Sequence, residues 1–122
     1  PGCVEFIQRL HSENVPLAVA SSSSMDDIQK VLNSFNIAKF FDAAITGFDC
    51  QHSKPDPEIY LTAASAIGVS PVDCIVIEDS EHGMHAAKSA GMYCIGYAPK
   101  QAIVQDTSYA DMVIHDFQEF LI

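Results

Sequence analysis

Two adjacent carboxylates, Glu78 and Asp79, directly follow a short apolar run at residues 74–77. Such a run predicts a strand that is buried on both faces, as in a parallel sheet. Open α/β sheets bind ligands beyond the carboxyl ends of these strands, and two neighbouring carboxylates there need a cation such as Mg²⁺ to balance their charge. Acidic residues also favour a helix N-terminus, so the pair could equally cap the next helix. Local spacing does not separate metal binding from capping.

Four consecutive serines, residues 21–24, follow a second apolar run at residues 17–20. Ser23 and Ser24 each stand three residues before an aspartate, a spacing that is typical of a capping box. We therefore expect at least one of them to cap a helix that starts near Met25. Four serines exceed what capping needs. Hydroxyls and free backbone N–H groups between a strand and a helix also form an anion site.

A lysine, Lys54, lies in the segment Ser-Lys-Pro-Asp-Pro at residues 53–57. The two prolines hold the residues before them extended. Asp56 is expected to be an N-cap, and Pro57 is expected to be the first residue of the next helix. A lone lysine is usually a solvated charge, but the stiff loop favours a lysine that is held in one place.

Apolar runs alternate with helix-like segments along the whole chain. Strands are predicted at residues 17–20, 43–46, 74–77, 92–97 and 111–114, helices at 4–13, 25–35, 57–67 and 81–90, and a last helical turn or two at 116–121. Strands that alternate with helices indicate an α/β protein with a parallel sheet. A chain of 122 residues has the length of one domain, so we expect residues 1–122 to form a single unit.

The composition argues against several classes of function. A net charge of −10 leaves no basic footprint for nucleic acid, and no apolar run is long enough to cross a membrane. The four cysteines have no Cys-x-x-Cys spacing, which favours reduced thiols in a cytoplasmic protein. His82 and His85 could share a helix face, but catalytic zinc requires a third protein ligand and none is in view.

Taken together, the three segments resemble motifs of the haloacid dehalogenase superfamily of phosphotransferases, in the same order along the chain. The family's second motif is an apolar strand that ends in Ser or Thr, and Ser21 matches it. The third is a lysine, matched by Lys54 in Ser-Lys-Pro-Asp-Pro-Glu-Ile-Tyr, and the fourth is an acidic pair, matched by Glu78 and Asp79 in Ile-Glu-Asp-Ser-Glu-His-Gly. The resemblance covers nearly the whole chain and is greatest to the β-phosphoglucomutase-like branch, which includes sugar-phosphate and hexitol-phosphate phosphatases.

The resemblance implies a Rossmann-like three-layer parallel sheet and a Mg²⁺-dependent phosphatase that acts through an aspartyl-phosphate. Its substrate would be a small phosphorylated metabolite such as a sugar or polyol phosphate. Ser21 and the backbone N–H of Ser22 would bind the phosphoryl group, Lys54 would neutralise its oxygens and the nucleophile, and Glu78 and Asp79 would hold Mg²⁺. Phosphoryl transfer depends on positioning and charge neutralisation, which these groups supply.

One motif of the family, Asp-x-Asp-Gly-Thr, is absent from the sequence. In the family it supplies the nucleophilic Asp and the general acid/base. Its strand lies between the strands that end here at Ser21 and Asp79, and the cap domain is inserted after it. We therefore expect the core to lack its first strand and the cap, as in the C-terminal part of a longer enzyme. The alternative is a small protein with a rearranged sheet.

Two other functions stay open beside the phosphatase. The first is a β-phosphoglucomutase-type phosphosugar mutase, although Ser24 and Met25 stand where those mutases have a basic residue and Asn. The second is a catalytically inactive domain that binds a metal or a partner protein, and the missing nucleophile motivates it.

Overall fold

Strands and helices alternate through the part of the chain that the computed structural model describes, residues 2–99 and 106–120. The helices are α1 (Cys3–Ser12), α2 (Met25–Ser34), α3 (Glu58–Ala66) and α4 (Glu81–Ser89). The strands are β1 (Ala18–Ser21), β2 (Ala43–Thr46), β3 (Ile75–Glu78), β4 (Tyr93–Tyr97) and β5 (Met112–Ile114). This is the α/β order that the sequence predicts, with boundaries displaced by a residue or two.

The five strands form two parallel sheets. β1 pairs with β2, so that Ser21 lies opposite Thr46. β3 pairs with β4, with Glu78 opposite Gly96, and β4 pairs with β5. Within the described residues β1 and β3 are not paired with each other, and each has a single neighbour. The carboxyl ends of both strands, which carry predicted site residues, therefore border a gap between the two sheets.

Helices pack on both faces of the first sheet and on one face of the second, an arrangement of three layers as in a Rossmann-like core. α3 and α4 cover one face and enclose the larger apolar cluster together with residues such as Ala20 of β1 and Val76 of β3. α1 and α2 cover the opposite face of the first sheet, where Val19 packs against Ile28 and Leu32. The predicted fold class is confirmed.

The prediction that β3 is buried on both faces is wrong at its first residue. Ile75 is 64% exposed, although Val76 packs into the cluster beneath α4. Successive side chains of a strand point to opposite faces, so Ile75 lies on the face opposite α4. Only one face of β3 is covered by a helix at this end of the strand.

Serine hydroxyls begin two of the helices. Ser24 caps α2 by accepting a hydrogen bond of 3.2 Å from the N–H of Asp27, and Ser80 caps α4 through the N–H of Gly83 at 3.1 Å. Gly91 has φ of 80°, the left-handed conformation that ends a helix, directly after the C-cap of α4. The predicted capping by a serine of residues 21–24 is therefore confirmed.

α3 begins one residue later than predicted. Its first residue is Glu58, and Pro57 takes the N-cap position without a side-chain hydrogen bond. Asp56 still satisfies the helix start, because its Oδ1 accepts a hydrogen bond of 3.0 Å from the N–H of Glu58. The predicted N-cap and the predicted first helical residue are therefore each wrong by one position, although Asp56 does bond the start of the helix.

The remaining features bear on the environment of the protein. All four cysteines are free thiols. No helix within the two described ranges has the length and apolar character needed to cross a bilayer. The last predicted helical segment is a 3₁₀ turn at Phe117–Phe120, and its predicted end, Leu121, lies outside the described residues.

Candidate functional site

The carboxyl ends of β1 and β3 open into a cavity of about 420 Å³. Its walls are the two strand ends, the loops that follow them, one lysine and two aromatic rings: Ala20, Ser21, Ser22, Lys54, Ile77, Glu78, Asp79, Ser80, Tyr97 and Phe117. All five residues that the sequence singles out, Ser21, Ser22, Lys54, Glu78 and Asp79, line this one cavity.

The serines after β1 divide into two roles. Ser24 is used by the N-terminus of α2, whereas Ser21 and Ser22 line the cavity. The Oγ of Ser21 accepts a hydrogen bond of 3.1 Å from the N–H of Ser23, which folds the loop back on the strand end. Capping and the presentation of hydroxyls to the cavity are thus performed by different serines of the same run.

Thr46, at the end of β2, supports the serine loop and was missed by sequence reasoning. Its side chain is 3% exposed, and its Oγ1 donates a hydrogen bond of 2.6 Å to the carbonyl of Ser23. The same oxygen accepts a bond of 3.2 Å from the N–H of Phe48. At the next residue, a Cβ on Gly47 would lie 3.1 Å from the Cα of Ser22. The loop after β2 therefore packs directly against the loop after β1.

The loop that carries Lys54 is held by α3. Both oxygens of Glu58, the first residue of that helix, accept backbone N–H groups, from Gln51 at 2.8 Å and from His52 at 3.0 Å. The Nζ of Lys54 donates a hydrogen bond of 3.0 Å to Oε2 of Glu78, and the lysine side chain is 14% exposed. Lys54 is thus a half-buried, paired charge, and not a solvated one.

The carboxylate of Glu78 is held by donors on both of its oxygens. Oε1 accepts from the N–H groups of Asp79 at 3.0 Å and Ser80 at 3.2 Å, and from the hydroxyl of Ser80 at 3.1 Å. Oε2 accepts from Lys54 and from the hydroxyl of Tyr60. Burial by itself would raise the pKa of Glu78, but the bond from Tyr60 and the charge of Lys54 outweigh burial and lower the pKa to about 2.

Tyr60, on the buried face of α3, is the second residue that sequence reasoning missed. It is 6% exposed, and its hydroxyl donates to Oε2 of Glu78. Burial, followed by the negative charge of Glu78, raises the pKa of Tyr60 well above its ordinary value, so the hydroxyl keeps its proton. The available signal was a hydroxyl at a core position of the predicted helix, because buried polar groups require partners.

Asp79 differs from Glu78 in its surroundings. It is exposed at the rim of the cavity. Partial burial, followed by the hydrogen bond and charge of Glu78, raises the pKa of Asp79 above its ordinary value. One carboxylate of the pair is therefore fixed by protein donors, whereas the other is more available to a ligand and crowded by its neighbour's charge.

The site brings together few metal-binding groups from the protein itself. The described ranges contain no group of three or more His, Cys, Asp or Glu that could hold a metal ion. Two adjacent carboxylates nevertheless suit Mg²⁺, which is usually bound by one or two carboxylates and completes its shell with water and substrate phosphate. The pair therefore fits a magnesium ion that Asp79, exposed to the cavity, would contact first, with the carboxylate of Glu78 beside it.

Known proteins are similar to this chain in sequence and in fold. The chain is 36% identical over 118 residues to validoxylamine A 7'-phosphate phosphatase of Streptomyces hygroscopicus subsp. limoneus, a match that covers 97% of this chain and 55% of that protein. It is 39% identical over 114 residues to β-phosphoglucomutase of Bacillus subtilis (strain 168), a match that covers 93% of this chain and 48% of that protein. The chain thus spans about half the length of these curated relatives.

A solved structure has the same fold. The crystal structure of CbbY from Rhodobacter sphaeroides in complex with phosphate matches with a TM-score of 0.90 at 28% identity, over 98% of this chain and 55% of that chain. The model of the haloacid dehalogenase-like hydrolase family matches residues 1–97, which contain all five predicted site residues. The chain therefore belongs to the haloacid dehalogenase-like hydrolase family, as the order of its motifs predicts.

Proposed function

We propose that the protein that carries this chain is a Mg²⁺-dependent phosphatase that acts on a small phosphorylated metabolite, such as a sugar or polyol phosphate. The relatives named above include a phosphatase and a mutase whose names specify phosphorylated carbohydrate-like substrates. We further propose a cytoplasmic location, which the four free thiols support.

One observation carries this proposal, namely that Ser21, Lys54 and Asp79 line a single cavity although they lie in three separate segments of the chain. The packing of the fold does not require a hydroxyl, an ammonium group and a carboxylate to meet where the ends of β1 and β3 lie side by side. Together they supply a donor, a positive charge and a cation ligand, which are the elements that phosphoryl transfer requires.

In this proposal each residue acts on the phosphoryl group through charge or a hydrogen bond. The hydroxyl of Ser21 and the backbone N–H of Ser22 bind two of its oxygens. Lys54, held by Glu78, faces the same cavity and offsets the negative charge that the phosphoryl group and an attacking carboxylate bring together. The pairing with Glu78 keeps the amine in place before substrate arrives.

The cation would be held by Asp79 together with Glu78. When bound, Mg²⁺ would neutralise charge on the phosphoryl oxygens and the nucleophile. Asp79 supports this assignment best, because its carboxylate is exposed at the cavity and carries a raised pKa that a neighbouring cation would relieve.

The aspartyl nucleophile is proposed to come from a segment outside these 122 residues. Two findings support this part of the proposal: the sequence lacks Asp-x-Asp-Gly-Thr, and the described β1 and β3 each have a single paired neighbour beside the cavity. A strand placed between them would deliver a carboxylate to the edge where Ser21 and Asp79 lie. The phosphoryl group would pass to that carboxylate as its P–O bond to the substrate breaks, and the leaving oxygen would take a proton from the general acid of the same missing motif. Water, deprotonated by that group, would then attack the aspartyl-phosphate, which releases phosphate and restores the carboxylate.

The test uses the full-length protein that carries this sequence, purified and assayed for phosphate release from a panel of sugar and polyol phosphates over a Mg²⁺ titration. We expect release that depends on Mg²⁺.

Asp79→Asn should cut turnover by about a hundredfold or more and raise the Mg²⁺ concentration at half-maximal rate. Asp73→Asn is the matched control, because Asp73 is exposed just before β3, at the opposite end of the strand. Equal Mg²⁺ titrations for Asp79→Asn and the wild type would contradict the metal assignment.

Analysis of the sugar phosphates that remain in the same reactions, alongside phosphate release, separates the two alternatives. The identity with a β-phosphoglucomutase favours a mutase, which would isomerise a sugar phosphate without net phosphate release. Ser24 argues against a second phosphate site, because its hydroxyl is used to cap α2. A binding domain without catalysis would leave every substrate of the panel unchanged.

A further inference from the structure

We propose that Tyr60 is a positioning residue of this site, whose hydroxyl fixes the carboxylate of Glu78 and thereby the amine of Lys54. The inference rests on the proposed function, because it concerns how the cation and the phosphoryl group meet groups that are already in place. Tyr60 lies on α3, outside the strand ends that carry Ser21 and Asp79.

Tyr60 contacts both members of the half-buried ion pair. Its hydroxyl donates to Oε2 of Glu78, the same oxygen that accepts the hydrogen bond of 3.0 Å from Lys54. The Nζ of Lys54 also lies 5.3 Å from the centroid of the tyrosine ring, within the range of a cation–π contact. One side chain of the core therefore restrains both the anion and the cation.

The opposite oxygen of Glu78 is held independently by the start of α4, through Asp79 and Ser80. With both oxygens fixed, the carboxylate has one orientation towards the cavity. If the tyrosine hydroxyl is removed, Oε2 keeps Lys54 as its donor among the described residues. The carboxylate can then rotate about the Oε1 that α4 still holds, and the amine of Lys54 can follow Oε2.

The tyrosine ring and the tyrosine hydroxyl have separable roles. The ring packs in the apolar cluster with Ile59, Ala64 and Met84, and Phe would preserve that packing. The hydroxyl points at a residue that lines the cavity. Tyr60→Phe therefore removes the restraint on Glu78 and keeps the core filled.

The first experiment measures Mg²⁺ binding by calorimetry and the Mg²⁺ dependence of phosphate release in the full-length protein. Tyr60→Phe should weaken Mg²⁺ binding by about tenfold or more, because outer partners of metal ligands contribute this much to affinity. Tyr93→Phe is the matched control, because Tyr93 is 44% exposed at the start of β4, the end of that strand opposite to the cavity. This variant should bind Mg²⁺ as the wild type does. A merely structural role would lower thermal stability and leave Mg²⁺ affinity unchanged.

The second experiment asks whether Tyr60 acts through Glu78. In a Glu78→Gln background, Tyr60→Phe should cause little further loss of Mg²⁺ affinity, because the carboxylate that it positions is gone. If the fold-losses of Mg²⁺ affinity in the two single variants multiply in the double variant, Tyr60 and Glu78 act independently and the inference is overturned.

The failures of the two proposals are distinguishable. A wild-type protein that neither binds Mg²⁺ nor releases phosphate would overturn the proposed function and this inference with it. A wild-type protein that does both, while Tyr60→Phe binds Mg²⁺ equally well, would overturn the inference alone.

Discussion

The Nζ of Lys54 lies 3.0 Å from Oε2 of Glu78, and the two side chains are 14% and 10% exposed. This ion pair joins the loop before α3 to the end of β3, so that it ties the two sides of the candidate site together. A carboxylate with little exposure is costly to leave without its cation, although the donors from Tyr60, Asp79 and Ser80 would still offset part of its desolvation. The pair is therefore a structural tie as well as a source of positive charge for a phosphoryl group.

Replacing Lys54 should damage both stability and activity. Lys54→Met retains the apolar stem but removes the charged hydrogen bond to Glu78, which should lower the free energy of unfolding by about 1.5–3 kcal/mol. Phosphate release should fall by about a hundredfold or more, since one preorganised charge is lost. Urea unfolding and a phosphate assay on the full-length protein measure the two effects.

Lys30→Met is the control for that substitution. Lys30 is exposed on α2, and substitutions of this kind usually change stability by no more than about 0.5 kcal/mol. If Lys54→Met lowered the free energy of unfolding and the rate of phosphate release no more than Lys30→Met does, the ion pair of Lys54 and Glu78 would contribute neither to stability nor to the site.

Gly83 should not tolerate a side chain, although it lies within α4. A Cβ at this position would overlap Cδ and Oε2 of Glu78. Replacing Gly by Ala in a helix normally stabilises it by up to about 1 kcal/mol. Here Gly83→Ala should instead lower the thermal midpoint and weaken Mg²⁺ binding, because Glu78 must leave its donors. Ser89→Ala, at an exposed position of the same helix, should keep both properties, and equal behaviour of the two variants would refute the argument.

The elements that local chemistry defines could be predicted from the sequence. The apolar runs before Ser21 and Glu78 indicated strands, and the serine and glycine signals at Ser24 and Gly91 marked helix ends. The order of the motifs resembles that of the family, and this resemblance predicted that Ser21 and Asp79 would lie together; both line the same cavity.

The features that the sequence could not predict depend on packing between distant segments. Whether Tyr60 faces Glu78 is decided by how α3 lies against β3, and whether Thr46 reaches Ser23 is decided by the pairing of β1 with β2. The exposure of Ile75 has the same origin, because an apolar run does not reveal which face a helix covers. Periodicity specifies elements but not their neighbours.

Thr46 should matter to phosphate binding without touching the cavity. Thr46→Val keeps the shape of the side chain and removes the hydrogen bonds to the carbonyl of Ser23 and from the N–H of Phe48, at a cost of about 0.5–1.5 kcal/mol for each bond. The serine loop should loosen, so inorganic phosphate should bind more weakly in a calorimetric titration. Thr62→Val is the control, because the hydroxyl of Thr62 is exposed on α3. Equal phosphate affinity in both variants would exclude a role for Thr46 in shaping the loop.

Acid should release the stabilisation that Glu78 provides. The pKa of Glu78 is lowered from 4.5 to about 2, so its ionised form stabilises the fold fully above about pH 4.5, and this contribution is lost as the pH falls towards 2. The free energy of unfolding of the wild type, measured without divalent cations, should therefore approach that of Glu78→Gln over this interval. Asp79 acts in the opposite direction, because its raised pKa means that the folded state binds the proton more tightly, so Asp79→Asn should not reproduce the convergence. A gap between wild type and Glu78→Gln that stays constant from about pH 6 to 2 would mean that the carboxylate of Glu78 is not held by Lys54 and Tyr60 in solution.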